Sequence, residues 1–400
     1  MKVIIKKSKA EGKVYAPPSK SMAHRALICG AFSDGSVINN IDYSKDVTAT
    51  IDCLKTMGAK VEKNGNTVKI GGFKPDNIVD GSEVFCNESG STLRFLIPIC
   101  LLSGKKITLK GSPRLFERPL GIYEDICREN NFLFKKGYDR VTLCGRLEKG
   151  NYTVPGDISS QFITGLLFAL SLVKGESTLT VSGKFESASY VDLTLDAMRS
   201  FGVSVERKDN VFSIDGGQKY LSQNYTVEGD CSNAAFLDGF NYLGGNVEVM
   251  GIREETLQGD RVYSAIFKAL KDGKKEFDLS DCPDLAPVVF AVSAYYGGAT
   301  FNGTARLKIK ESDRATVMAE ELSKFGIQVR LLDNSVIVEE GTITKPDEMI
   351  NGHNDHRIVM AMSLLCSLTG GEIYGAEAVS KSYPDYFEVI QKLGVEIEIG

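Results

Sequence analysis

The amino-acid sequence predicts an α/β protein of two domains, each assembled from three copies of one supersecondary unit. Three observations predict it. The chain has 400 residues, more than a single hydrophobic core usually supports. A pattern of helix, glycine and β-hairpin recurs along it at a spacing of roughly 55–75 residues, as a repeated unit requires. Between the copies, a polar cluster is followed at once by a strongly apolar run, and this happens six times.

The hairpin copies share one signature. CLKTMGAKVEKNGNTVKIGG, AMRSFGVSVERKDNVFSIDGG, ELSKFGIQVRLLDNSVIVEEG and the terminal VIQKLGVEIEIG each place Gly after an amphipathic stretch. A glycine there permits the left-handed turn that ends a helix. NG and DN between alternating apolar residues are hairpin signals. CRENNFLFKKGYDRVTLCG is a weaker copy without that glycine, and IFKALKDGKKEFDLSD reads as a degraded sixth.

The apolar runs begin at Ser19, Ser89, Ser159, Asp230, Asp281 and Asn354. Ser, Asp and Asn are N-cap residues, and runs apolar all round are buried helices. Each helix start carries about half a positive charge and free N–H groups, which suits an anion. Taken singly, each is the signature of a capped core helix. Three lie before about Tyr225 and three after, which divides the chain into two pseudo-symmetric domains. If both sets of helix starts face one cleft, that cleft attracts polyanions.

Composition narrows the function. The values of 42% hydrophobic and 25% charged residues are ordinary for globular proteins. A net charge of −5 gives no reason to expect a nucleic-acid partner, although a local basic cleft is compatible with it. Nine scattered cysteines without a CxxC pair read as reduced structural thiols in a cytosolic protein. The apolar stretches are interrupted and too short for a bilayer, and MKVIIKKSKAEGKV reads as a strand, not a leader. A cytoplasmic protein without membrane contact is expected.

Basic residues gather at the same helix starts. Lys20 and Arg25 sit at the first, Arg94 inside the second, and His356 and Arg357 open the last. A guanidinium in an apolar helix is costly unless it is paired or faces a ligand. PRLFERP adds Arg114 and Arg118, RLKIKESDR adds Lys308, Lys310, Glu311, Asp313 and Arg314, and SKSYPDYF adds Lys381. Arg forks bind phosphate and carboxylate in bidentate fashion. Each such loop alone is ordinarily a solvated face. There is no HExxH, no zinc-spaced Cys/His set, no GxGxxG after a strand and no P-loop. With His24, His353 and His356 the only histidines, no metal and no cofactor is expected.

PPSKSMAHRAL, NESGSTLR, SPRLFERPLG, GDISSQFITGLL, YVDLTLDAM, VEGDCSNAAF, PDLAPVVFAV, KIKESDRA, HNDHRIVMA and SYPDYF, in this order, resemble the EPSP synthase family of 3-phosphoshikimate 1-carboxyvinyltransferases. The resemblance implies two inside-out α/β barrels, each of three units of helices and a mixed four-stranded sheet, with the active site in the interdomain cleft. It implies discontinuous domains: residues 1–17 with 226–400, and residues 18–225. It implies transfer of the enolpyruvyl group of phosphoenolpyruvate to the 5-hydroxyl of shikimate 3-phosphate, with release of phosphate. These two small molecules are the only partners expected, for a chain acting as a monomer.

Carried over residue by residue, the phosphoshikimate contacts fall on Lys20, Ser21, Arg25, Ser159, Ser160, Gln161, Ser187, Asp284 and Lys310. The phosphoenolpyruvate contacts fall on Lys20, Gly90, Arg118, Gln161, Arg314, Arg357 and Lys381, with Arg94 beside them. The reaction needs a base for the hydroxyl, an acid for the methylene and cations for the anions. The resemblance offers Asp284 as base and Glu311 as acid, with Lys20 competing and His356 in the same matched motifs. Lys381 and Arg357 neutralise the leaving phosphate. It also implies inhibition by glyphosate, a phosphonate ligand of the phosphoenolpyruvate pocket.

Some positions depart from the family pattern. His24 stands where Asn is common, Glu88-Ser89 where Asn-Ala is common, and Arg306 where some members carry an amide. Three other readings compete. An enolpyruvyl transferase acting on UDP-N-acetylglucosamine needs a catalytic Cys in the loop that here reads GSPRLFERP. An RNA 3′-phosphate cyclase needs a nucleophilic His, and His356 is the one candidate. A non-catalytic anion-binding relative would be marked by loss of Lys20, Asp284, Glu311 or Lys381, all of which are present.

Overall fold

A computed structural model describes every residue from Met1 to Gly400. The chain forms two compact units, Pro18–Glu228, and Met1–Pro17 with Gly229–Gly400.

In the continuous unit, the helices Lys20–Phe32, Gly90–Cys100 and Ser160–Leu170 are buried on nearly every side. Helices without a polar face are stable only inside a wall, and three four-stranded sheets supply it. Each sheet repeats one plan. A parallel pair such as Asn151–Pro155 with Glu176–Ser182 is extended by an antiparallel hairpin, here Val211–Asp215 and Glu206–Lys208. Alternate residues of Glu176–Ser182 are buried, so the sheet turns one face to the helices. Amphipathic helices Lys45–Thr56, Gly121–Glu129 and Ala188–Ser200 lead into the hairpins. Gly58 and Gly202 end two of them at φ 110° and 81°. The copy lacking glycine uses Asn131 at φ 56°, because asparagine tolerates the left-handed region best among residues with a Cβ.

The discontinuous unit repeats the plan around Cys231–Tyr242, Ala286–Tyr295 and His356–Thr369. Two of its sheets are four-stranded. Lys2–Ile5 lies antiparallel between Gly371–Tyr374 and Ile397–Ile399, which is why the first residues join the last. The third sheet has only two strands, Glu11–Tyr15 parallel to Asn246–Met250. The expected sixth hairpin is therefore corrected: Tyr263–Lys271 leads to Glu276–Asp278, which opens the next sheet in parallel with Ala299–Asn302.

Two further expectations shift. The second crossing lies after Glu228, not at 225/226, because Tyr225 and Thr226 pair with Ile38 and Asn39 in the continuous unit. Side-chain caps sit at Ser89, Ser159, Asp230 and Asp355, so Asp355 and not Asn354 caps the last buried helix. The run from Asp281 passes through the 3-10 turn Pro283–Leu285 before its helix begins. No helix is long and apolar enough to cross a membrane.

One irregularity sets the position of Arg94. Pro98 lies inside Gly90–Cys100 and has no N–H to give the carbonyl of Arg94 one turn earlier. The Tyr123 hydroxyl donates to that carbonyl instead, at 2.7 Å. Gly165 of the neighbouring helix makes the room, since a Cβ there would stand 2.5 Å from the Tyr123 oxygen and 2.6 Å from the Arg94 carbonyl oxygen. Tyr123→Phe should therefore cost about 1–3 kcal/mol, the penalty of an orphaned buried acceptor. Urea denaturation measures it, and a loss below about 0.5 kcal/mol would show that the carbonyl finds another donor.

Candidate active site

In the continuous unit the three buried helices start at Ser19, Ser89 and Ser159. Serine carries no charge, so none of the three caps sets a carboxylate on the positive pole of its helix. Arg25 projects from the first helix and is 3% exposed. Its Nε donates to Thr194 Oγ1 at 2.8 Å, Nη1 to the Ser21 carbonyl at 2.7 Å and Nη2 to the Tyr190 carbonyl at 2.8 Å. The Phe95 ring lies 5.4 Å away. Every one of these partners is neutral. Burial pushes the Arg25 guanidinium down to about 10. A buried cation held only by dipoles is primed for an anion.

Around it, Lys20 Nζ pairs with Asp46 at 2.9 Å. Arg94 Nη1 donates to Gln161 Oε1 at 2.7 Å, and Gln161 Nε2 donates to Ser91 at 2.9 Å. This chain ties the second helix start to the third. The buried Arg118 guanidinium packs over Gly90, where a Cβ would stand 2.6 Å from Nη1. Ser187 is buried at φ 56° just before Ala188–Ser200, and Ser160 is buried behind its cap. His24 stays neutral, because burial and then Lys20 and Arg25 push its pKa well down. Its Nδ1 meets Thr50 Oγ1 at 2.7 Å, and Thr50 meets Thr92 at 2.6 Å. The ring thus serves as a linking polar residue in the core.

The discontinuous unit solves the same problem differently. Lys310 Nζ and Arg314 Nη1 reach Asp284 Oδ1 at 3.1 and 3.0 Å, and Arg357 Nη2 reaches Oδ2 at 3.0 Å. Arg314 also bonds Glu311 at 2.6 Å and Asp355 at 2.9 Å. Three cations thus interlock with three carboxylates. Burial pushes Asp284 up, but Arg357, Lys310 and Arg314 outweigh it and hold the carboxyl well below the usual range. Burial depresses Lys310, with Asp284 working against it. Lys381 Nζ donates to the Asn354 carbonyl at 2.6 Å. His356 is buried with Nδ1 3.8 Å from Asp355. Arg306 is buried and donates to the Ser280 carbonyl.

A family model described as EPSP synthase (3-phosphoshikimate 1-carboxyvinyltransferase) matches residues 4–390. The chain belongs to the EPSP synthase family. The 3-phosphoshikimate 1-carboxyvinyltransferase of Clostridium kluyveri is 40% identical, over 99% of this chain and 98% of its own. That of Clostridium acetobutylicum is 39% identical, over 97% and 96%. EPSP synthase from Acinetobacter baumannii superposes with a TM-score of 0.81 over 100% of this chain and 99% of that one, at 24% identity. The enolpyruvyl transferase NikO from Streptomyces tendae gives 0.74 over 99% and 98%, at 15% identity. These two likenesses concern the fold, and they agree with the two repeated α/β units expected from the sequence.

For an EPSP synthase family chain, the structure gathers the expected residues into two sets. Lys20, Ser21, Arg25, Gly90, Arg94, Arg118, Ser159, Ser160, Gln161 and Ser187 belong to the continuous unit, and Asp284, Lys310, Glu311, Arg314, His356, Arg357 and Lys381 to the other. Sequence reasoning missed Asp46 and Asp355. Asp46 stands in the first turn of an amphipathic helix, where an acid ordinarily only favours the helix start. Asp355 lay in plain view within NDHR, and its aspartate beside two basic residues was the available signal.

Asp355 is 0% exposed. Burial raises its carboxyl, but Arg314 outweighs this and holds it below the ordinary value. Asp355→Asn should therefore cost about 3–5 kcal/mol at pH 7, the usual result of breaking a buried pair. A depressed folded pKa stabilises fully above the unfolded value of about 3.9, and the benefit fades as pH falls through the folded one. In urea denaturation the gap between the parent and Asp355→Asn should be complete at pH 7 and shrink below about pH 4. A gap that stays constant into acid would contradict the pairing.

Proposed function

We propose that this chain transfers the enolpyruvyl group of phosphoenolpyruvate to the 5-hydroxyl of shikimate 3-phosphate and that both cation sets take part. Family membership carries the reaction class. The observation that carries the anionic substrates is Arg25, a guanidinium 3% exposed among neutral partners. Phosphoshikimate is assigned to Lys20, Ser21, Arg25, Ser159, Ser160, Gln161, Ser187, Asp284 and Lys310. Phosphoenolpyruvate is assigned to Lys20, Gly90, Arg94, Arg118, Gln161, Arg314, Arg357 and Lys381. The chain is proposed to work in the cytoplasm as a monomer.

The ion network supports an order of events. With three cations on it, Asp284 is a weak base. An incoming phosphate or carboxylate competes for Arg314, Arg357 and Lys310. Each cation drawn away lets the Asp284 pKa rise, so the base is activated by the substrates it serves. Asp284 then takes the 5-hydroxyl proton as its oxygen adds to the vinylic carbon of phosphoenolpyruvate. Glu311, beside Arg314, delivers a proton to the methylene, with Lys20 the competing donor. The tetrahedral intermediate expels phosphate, which Lys381 and Arg357 neutralise, and the Glu311 carboxylate takes a proton back from the methyl group to restore the vinyl double bond.

Phosphate release with both substrates, and none with either alone, tests the function; an inactive full chain under those conditions would overturn it. Asp284→Ala should lower kcat at least a hundredfold, the usual reach of a general base, while leaving substrate KM within a few-fold. Normal turnover by that variant would remove the base assignment.

Gly90→Ala probes the pocket. The added methyl would meet Nη1 of Arg118 at 2.6 Å and Cζ at 2.9 Å, so the guanidinium must move. KM for phosphoenolpyruvate should rise by about threefold to tenfold, a loss of about 1 kcal/mol from a charge-assisted contact. Inhibition by glyphosate should weaken more than that. Equal sensitivity of parent and variant would remove the steric account.

A further inference from the structure

We propose that Glu321 and His353, which have no part in the site described above, form a latch that positions the three phosphoenolpyruvate cations of the discontinuous unit. Glu321 lies on the helix Arg314–Lys324, two turns beyond Arg314, and is 1% exposed. Its Oε1 lies 2.8 Å from His353 Nε2. Its Oε2 accepts the Asn351 backbone N–H at 3.0 Å and Lys324 Nζ at 2.8 Å. Lys324 Nζ reaches on to the Met349 carbonyl at 3.0 Å. One carboxylate therefore binds the helix that carries Arg314 to the segment that leads into the last buried helix.

That segment needs holding. His353 and Asn354 both take positive φ, 47° and 51°, which costs residues with a Cβ about 1 kcal/mol or more each. A turn of this kind persists only where its surroundings fix it. What it presents is the cation set itself. The Asn354 carbonyl receives Lys381, the Asp355 carboxylate receives Arg314, and Arg357 follows two residues later. If the turn relaxes, all three cations lose their common reference. Glu320, Glu321 and His353 also lie close enough to share a metal ion. Lys324 already stands at both Glu321 oxygens, so a fixed ammonium takes the place of one.

The inference rests on the assignment of Arg314, Arg357 and Lys381 to phosphoenolpyruvate. It separates Glu321 and His353, as positioning residues, from the groups that touch substrate. His353→Asn keeps a residue suited to the left-handed region but is too short to reach Glu321. His353→Gln places an amide N–H where Nε2 stood. Steady-state kinetics of the full chain with each substrate varied should show the phosphoenolpyruvate KM of His353→Asn raised at least fivefold and kcat lowered. Its shikimate 3-phosphate KM should stay within twofold, and His353→Gln should recover most of the loss.

An equal rise in both KM values, no change in either, or a Gln variant as impaired as the Asn variant would overturn the latch. His353→Ala repeats the test if the Asn variant does not fold, and failure of both to fold would show a purely structural contact and also overturn it. A parent chain that releases no phosphate would instead refute the functional reading.

Discussion

The structure depends on keeping positive charge inside protein. An isolated guanidinium in the interior is costly, and this chain buries Arg25, Arg94, Arg118, Arg314 and Arg357. Two kinds of compensation appear. In the continuous unit the helix caps are neutral serines, and Arg25 is held by a hydroxyl, two carbonyls and a ring face. In the discontinuous unit the caps include Asp230 and Asp355, and Asp284 precedes the third helix. There Lys310, Arg314 and Arg357 each meet a carboxylate. The first arrangement leaves positive potential for a ligand. The second stores it in an exchangeable network.

That difference gives the proposed mechanism its direction. A dianion entering the serine-capped unit gains helix poles and Arg25 without displacing an acid. An anion entering the other unit must compete with Asp284, Glu311 and Asp355 for Lys310, Arg314 and Arg357. Competition weakens binding, but it has a chemical yield, because each displaced carboxylate becomes more basic. A protein that merely stored anions would gain nothing from acids interleaved with its cations. The interleaving favours catalysis over simple binding.

Much of this was legible in the sequence because periodicity and capping are local. The six apolar runs and the helix–glycine–hairpin pattern specify the units without knowledge of how they pack. Where the reading failed, the cause was non-local. The sixth hairpin is absent because Glu276–Asp278 finds a partner in the following unit. Thr226 belongs with Asn39, far away in sequence. For the site, motifs located the cations but not their counter-charges. Asp46 meets Lys20, and Asp355 meets Arg314, only through the packing of separate helices.

The core also shows why Arg94 points where it does. Left to ideal geometry, Gly90–Cys100 would satisfy the Arg94 carbonyl within its own turn, and its relation to Ser160–Leu170 would rest on packing and on the Arg94, Gln161 and Ser91 side chains alone. Pro98 breaks that self-sufficiency at the one carbonyl belonging to Arg94. Tyr123, from a different helix, must then complete it, and Gly165 must be small enough to admit the ring. The same hydroxyl also reaches the Phe162 carbonyl at 3.3 Å. Arg94 in turn places its Cζ 5.2 Å from the Phe162 ring centroid and bonds Gln161 at 2.7 Å. A defect in one helix thus becomes the joint between two. Its consequence is that the side chains of Arg94 and Gln161, carried by helices of different repeats, are held in register.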